Sequence, residues 1–254
     1  MIEVLDLLLR EFGIAAPLVQ AWALTFLRVG SAMAVLPGLA EHSIPARIRL
    51  ILALMLSLSI LPATMPMAGG VEFTSAFAAE IVTGLILGLS LRFFVFALSV
   101  AGAIIANATS LSQLFAPGAE AQPAIAQLLI FAGIAIAFQL GLLTKIVGFF
   151  LLSYQVFPAG DVPDSSAVIE WGVRHTGMIF SLGFKIALPF AIASLLYNFA
   201  LGIINRAMPQ LMVTFIGAPA LSLGGLALMA SGFPTAITVW LFAFHSFIGS
   251  APGW

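Results

Sequence analysis

AEIVTGLILGLSLRF, Ala79 to Phe93, decides the fold class. It lies inside a longer apolar run, Phe73 to Asn107, whose only charged residues are Glu80 and Arg92. A helix crossing about 30 Å of hydrocarbon needs roughly 20 apolar residues. This run is longer than one simple span, and Arg92 is expected to interrupt it. Gly84 and Gly88 stand four apart, the spacing that lets two helix backbones approach closely in lipid.

The rest of the chain has the same character. Of its 254 residues, 62% are hydrophobic and 7% are charged, against about 25% charged in soluble proteins. Mean hydropathy is +1.17. Too little polar surface exists to cover a water-soluble fold, so the sequence reads as an integral membrane protein. Helices are the expected element, because backbone groups left unpaired in lipid are costly. The net charge of −1 gives no pull toward nucleic acid. Without cysteine there are no disulfides, thiolate metal sites or cysteine nucleophiles. The N-terminal MIEVLDLLLREFG lacks a basic region and a cleavage site, so the first apolar helix is expected to direct its own insertion.

About six apolar blocks follow from the pattern: 14–39, 50–63, 73–107, 124–154, 176–204 and 211–248. The second is short unless Arg47 and Arg49 snorkel at its end. The sixth is expected to break near Gly224–Gly225 and again at Pro234. The connectors PGLAEHSIPARIR, PATMPMAGGVEFT, LSQLFAPGAEAQPAIAQ, FPAGDVPDSSAVIEWGVRH and NRAMPQ are too short for a soluble domain, leaving one membrane domain over 1–254. With the N-terminus outside, the inner connectors hold Arg47, Arg49 and Arg206 and the outer ones Arg10 and Arg174, a narrow vote by the positive-inside rule. Pro37 and Gly38 stop the first block, and Pro45, with Ser43 nearby as a cap, is placed to open the next helix.

Catalytic patterns are missing. The sequence has no metal-binding H-E-x-x-H, phosphate loop or G-x-S-x-G elbow. His42, His175 and His245 are far apart and read as solvated or hydrogen-bonded side chains. No enzyme activity, cofactor or metal is expected. Charges inside apolar blocks are functional candidates by default; these are Arg28, Glu80, Arg92, Lys145 and Lys185. Pairing between helices, or water contact, is favoured over ion-coupled transport. Glu80 and Arg92 cannot pair within one helix, being separated by about 18 Å of rise and about 120° of rotation.

The order of these pieces resembles the FliR family of the flagellar type III export gate. Arg28 precedes LPGLAEHSIPARIRLILAL, an Arg, Pro, then Ser-x-Pro-x-Arg order. AEIVTGLILGLSLRF matches a Glu-x-x-x-Gly-x-x-x-Gly segment. LFAPGAEAQPAIAQLL stands where the family has a proline-containing loop before a helix, with Ala116–Pro117 where Asp-Pro is common. LPFAIASLLYNFALGIINRAMPQLMVTFIGAPALSLGG is the strongest match, with Asn205–Arg206 followed by Pro209–Gln210.

The resemblance implies an all-α, multi-helix integral membrane protein of stacked helical hairpins. It implies a FliP-like part, about 1–172, fused to a FliQ-like part, about 173–254. Its partners would be FliP-like and FliQ-like subunits, further export-gate components, membrane lipid and the exported unfolded flagellar proteins. It would sit in the bacterial inner membrane at the flagellar basal body, partly above the membrane plane on the periplasmic side. In that setting Leu111 to Gln122 would plug the channel, with Leu111, Leu114 and Phe115 as an apolar constriction and Pro117 and Gly118 turning the loop. Gly84, Gly88, Arg28, Arg47, Asn205, Arg206, Pro209 and Gln210 would serve helix packing or subunit contact. The alternatives are a virulence-type secretion subunit and, from another class, a secondary transporter, which would carry inverted repeats with paired broken helices.

Overall fold

The computed structural model describes residues 16–39, 44–68, 73–109, 124–207 and 213–250. Among them the regular elements are seven helices: α1 (Ala16–Met33), α2 (Ala46–Ala68), α3 (Phe73–Ala108), α4 (Ala124–Gln139), α5 (Leu142–Val156), α6 (Ser165–Ala207) and α7 (Val213–Gly249). The expectation of an all-α chain holds. Four helices are long and apolar enough to cross a membrane, or five spans if α4 and α5 together count as one.

Several sequence expectations need correction. Block three is one uninterrupted helix of 36 residues. Arg92 does not break it, because its Nη1 donates to the Val35 carbonyl 3.4 Å away, just past the end of α1. The charge thus serves as a cap for a neighbouring helix, whose last carbonyls lack intrahelical partners. Block four is two helices rather than one. The break falls at Gly141, which sits at φ +79, a left-handed conformation that glycine adopts freely. Block six is helical throughout 213–249, through Gly224, Gly225 and Pro234. A transmembrane helix tolerates such residues where nearby groups satisfy the backbone.

Block ends also move. α2 begins at Ala46, with Pro45 O accepting the Ile48 and Arg49 amides, and it continues through Pro62 and Pro66. The first block stops at Met33, followed by turns in which Gly38 takes φ +77. α6 starts at Ser165, eleven residues before the expected Thr176. Its start is marked by Asp164, whose carboxylate accepts the Ala167 amide at 3.2 Å and the Ser166 hydroxyl. That arrangement is an N-cap.

The chain divides into two compact units. Unit 1 comprises 1–92, 140–175 and 245–254, and unit 2 comprises 93–139 and 176–244. In unit 1, α1 packs on α2 and α3, and the Thr25 and Thr64 hydroxyls meet at 3.0 Å between α1 and α2. His175 is buried between the rings of Trp171 (4.7 Å) and Phe247 (4.9 Å), with Nε2 3.0 Å from the Ser90 carbonyl. Unit 2 is built on small residues. A Cβ at Gly102 would come within 2.6 Å of the Ala126 Cβ, and one at Gly183 within 2.9 Å of the Ala97 carbonyl. The buried Trp240 donates to the Phe94 carbonyl at 2.7 Å and stacks on Phe244.

Candidate functional site

Unit 1 contains a fully buried ion pair. Arg28 of α1 and Glu80 of α3 are both 0% exposed. Arg28 Nε donates to Oε2 at 2.6 Å, and Nη2 donates to Oε1 at 2.9 Å. This side-on, two-bond geometry is the strong form of an arginine–carboxylate pair. Nη1 donates to the Phe157 carbonyl at 3.0 Å and to the Ser153 hydroxyl at 3.3 Å. Glu80 Oε1 also accepts the Gly160 amide at 3.0 Å. The Tyr154 ring lies under the guanidinium, 3.7 Å from ring centroid to Cζ. Burying one charge without its partner costs several kcal/mol, so a buried pair survives only when its remaining donors and acceptors are met as well. Here four segments meet them: α1, α3, the end of α5 and the turn that follows it.

Local sequence explains how these groups converge. Glu80, Gly84 and Gly88 recur every four residues and so lie on one face of α3. Arg28 and Ala32 share a face of α1 by the same rule. A Cβ at Gly84 would overlap the Arg28 carbonyl and the Ser31 hydroxyl, and one at Gly88 would sit 2.6 Å from the Ala32 carbonyl. The two glycines therefore bring the α1 and α3 backbones into contact just beside the ion pair. At the other side, Gly160 has φ +81, which turns its amide toward Glu80. The carboxylate thus links helix packing to the α5–α6 connector.

The other described sequence candidates make no hydrogen bond or ion pair to Arg28 or Glu80. Arg47 is exposed in the first turn of α2, and Asn205 and Arg206 are exposed in the last turn of α6. Lys145 is half-buried on α5 and Lys185 is exposed on α6. Leu111, Leu114, Phe115, Pro117, Gly118, Pro209, Gln210 and His42 lie outside the described residues. Sequence reasoning missed Ser153, Tyr154, Phe157 and Gly160. Only Gly160, inside the turn-forming PAGD, carried a local signal.

A family model described as bacterial export proteins, family 1, matches residues 19–247. The chain is similar to the flagellar biosynthetic protein FliR of Caulobacter vibrioides, with 33% identity over 229 residues, 86% of this chain and 90% of the relative. It is 30% identical over 216 residues to the protein of that name from Escherichia coli K12, covering 82% of each. The Aquifex aeolicus protein of that name is 30% identical over 215 residues, 82% of this chain and 83% of the relative.

Proposed function

The chain belongs to the FliR family of bacterial export proteins, and from that premise we propose that it is a pore-forming subunit of the flagellar type III export gate. In this role it assembles with FliP-like and FliQ-like subunits in the inner membrane. The assembly passes unfolded flagellar proteins outward, and the subunit itself makes and breaks no bonds. Family membership over residues 19–247 carries the proposal.

Helix lengths support it. At 1.5 Å per residue, the 43 residues of α6 rise about 65 Å, against about 30 Å of hydrocarbon. α3 and α7, with 36 and 37 residues, also exceed that thickness. Yet exposed apolar residues run along α6 from Ile169 and Val173, through Phe184 and Leu195, to Ile203, about 51 Å of rise. Lipid covers one bilayer's worth of such a surface, and the rest calls for protein. That fits a subunit whose helices reach past the bilayer on the periplasmic side, against partners. The subunit is read as a FliP-like part, about 1–172, joined to a FliQ-like part, about 173–254, with α6 running unbroken across that boundary.

The loop Leu111 to Gln122 is assigned the plug of the pore, and Arg47, Asn205 and Arg206 the subunit contacts. Two experiments test these assignments. Affinity purification of the chain from its own membranes should bring down FliP-like and FliQ-like proteins; recovery of an isolated monomer from an intact flagellated cell counts against the gate. Deletion of Ser112–Ala121 should raise ion conductance through the assembled complex, and unchanged conductance removes the plug.

A further inference from the structure

Between α1 and α2, within unit 1, lies a groove of about 460 Å³. Phe26 and Gly30 of α1, Ala34 just past its end, and Ala46, Arg49 and Ala53 of α2 line it. Its volume falls in the range of small-molecule sites, roughly 300–1,000 Å³. A Cβ on Gly30 would meet only the Phe26 ring, at 3.7 Å, so this glycine leaves space open instead of permitting a helix contact. Arg49 is the one charged residue in the lining. Its Nε is buried and has no hydrogen-bond partner among the described residues. A buried guanidinium N–H without an acceptor is costly, which points to a missing anion.

We propose that this groove binds one anionic phospholipid, with an acyl chain over Gly30 and Ala34 and the phosphate on Arg49. Depth favours a lipid over a partner protein. The apolar span of α2, Ala46–Pro66, has 21 residues and a rise of about 31 Å, close to the hydrocarbon thickness. Arg49 lies in its first turn, so a spanning α2 places the guanidinium at headgroup level. Leu50, Ile51, Met55 and Leu58 are exposed along the same helix, as a lipid-facing span requires. Basic pockets between membrane helices at headgroup depth are suited to anionic headgroups. A protein partner would have to bring an acid to a level where phosphates already are.

The test uses the chain purified with its copurifying membrane partners. The complex is exchanged into equal phosphatidylglycerol and phosphatidylethanolamine with identical acyl chains, and retained lipid is counted by native mass spectrometry. Wild type should keep phosphatidylglycerol over phosphatidylethanolamine by about fivefold, the scale of one arginine facing one anionic headgroup. Arg49→Gln should erase that preference. Arg174→Gln, an exposed residue of α6 outside the groove lining, should keep it. Gly30→Leu, which fills the groove, should lower retention of both lipids. The proposal is overturned if wild type shows no preference, if Arg49→Gln retains it, or if Arg49→Gln releases a protein partner while lipid stays bound.

Discussion

Arg28 and Glu80, 52 positions apart in the chain, form a two-bond ion pair from which water is excluded. The pair ties α1 to α3, and its spare bonds reach Ser153, Phe157 and Gly160. Removing one partner leaves the other charge buried, at a cost of about 3–5 kcal/mol. Arg28→Ala or Glu80→Ala should therefore sharply lower the thermal unfolding temperature of the detergent-solubilised chain. Replacing both with leucine should cost less than either single change. A double variant weaker than both singles would show that the pair contributes packing and not charge compensation.

Gly84 and Gly88 should tolerate no side chain. Gly84→Leu or Gly88→Leu should destabilise unit 1 by at least the roughly 1–3 kcal/mol typical of overpacking, because the blocking atoms include backbone carbonyls. Gly148 and Gly172 also lie in helices but have nothing within 4 Å of a built Cβ. Alanine at those sites should stabilise by about 0.5–1 kcal/mol through helix propensity. Denaturant unfolding of the four variants gives the comparison, and equal effects at all four positions would remove the seam.

Asp164 gives a pH dependence with a definite sign. Its carboxylate accepts the Ser166 hydroxyl and then the Ala167 amide, and these bonds hold it below the usual aspartate range. The charged form is therefore the one favoured at the start of α6. Its contribution is fully present above the unfolded aspartate value of about 3.9 and is lost as pH falls through the lower folded value. Protection of the Ala167 amide, its exchange rate taken relative to the intrinsic rate at each pH, should begin to fall below about pH 4 in wild type. Asp164→Ala should show low protection throughout, with that acid step gone.

Trp240 and Phe94 hold unit 2. Trp240→Phe keeps most of the ring but deletes the N–H that reaches the Phe94 carbonyl, a loss of about 1 kcal/mol. Trp240→Ala adds a cavity beside Phe244 and should cost about 3–5 kcal/mol. Near-ultraviolet circular dichroism during thermal melting should separate the two variants. If both melt like wild type, the tryptophan is not a core anchor.

Much of the fold is legible in the sequence. With 7% charge, the chain could only be a membrane protein, and backbone satisfaction in lipid made it helical. The four-residue step from Glu80 to Gly84 to Gly88 marked a face of α3 where a backbone comes close. Local chemistry misled where the deciding group was remote. Arg92 looked like a break because a lone cation in an apolar run is costly, yet the Val35 carbonyl, just past the end of α1, receives it. Pro234 and Gly224–Gly225 looked like breaks on propensity alone, but helix continuation in α7 depends on its surroundings.

Composition and apolar periodicity determined the class of molecule, the number of long helices to within their breaks, and the small-residue faces. They could do so because the cost of unpaired backbone in lipid is paid locally, residue by residue. Tertiary structure alone decided that Glu80 answers Arg28, that Ser153, Phe157 and Gly160 complete the shell, and that Arg49 faces an apolar groove. Those relations join groups far apart in the chain. Their energy comes from excluding water around a pair that no sequence spacing specifies.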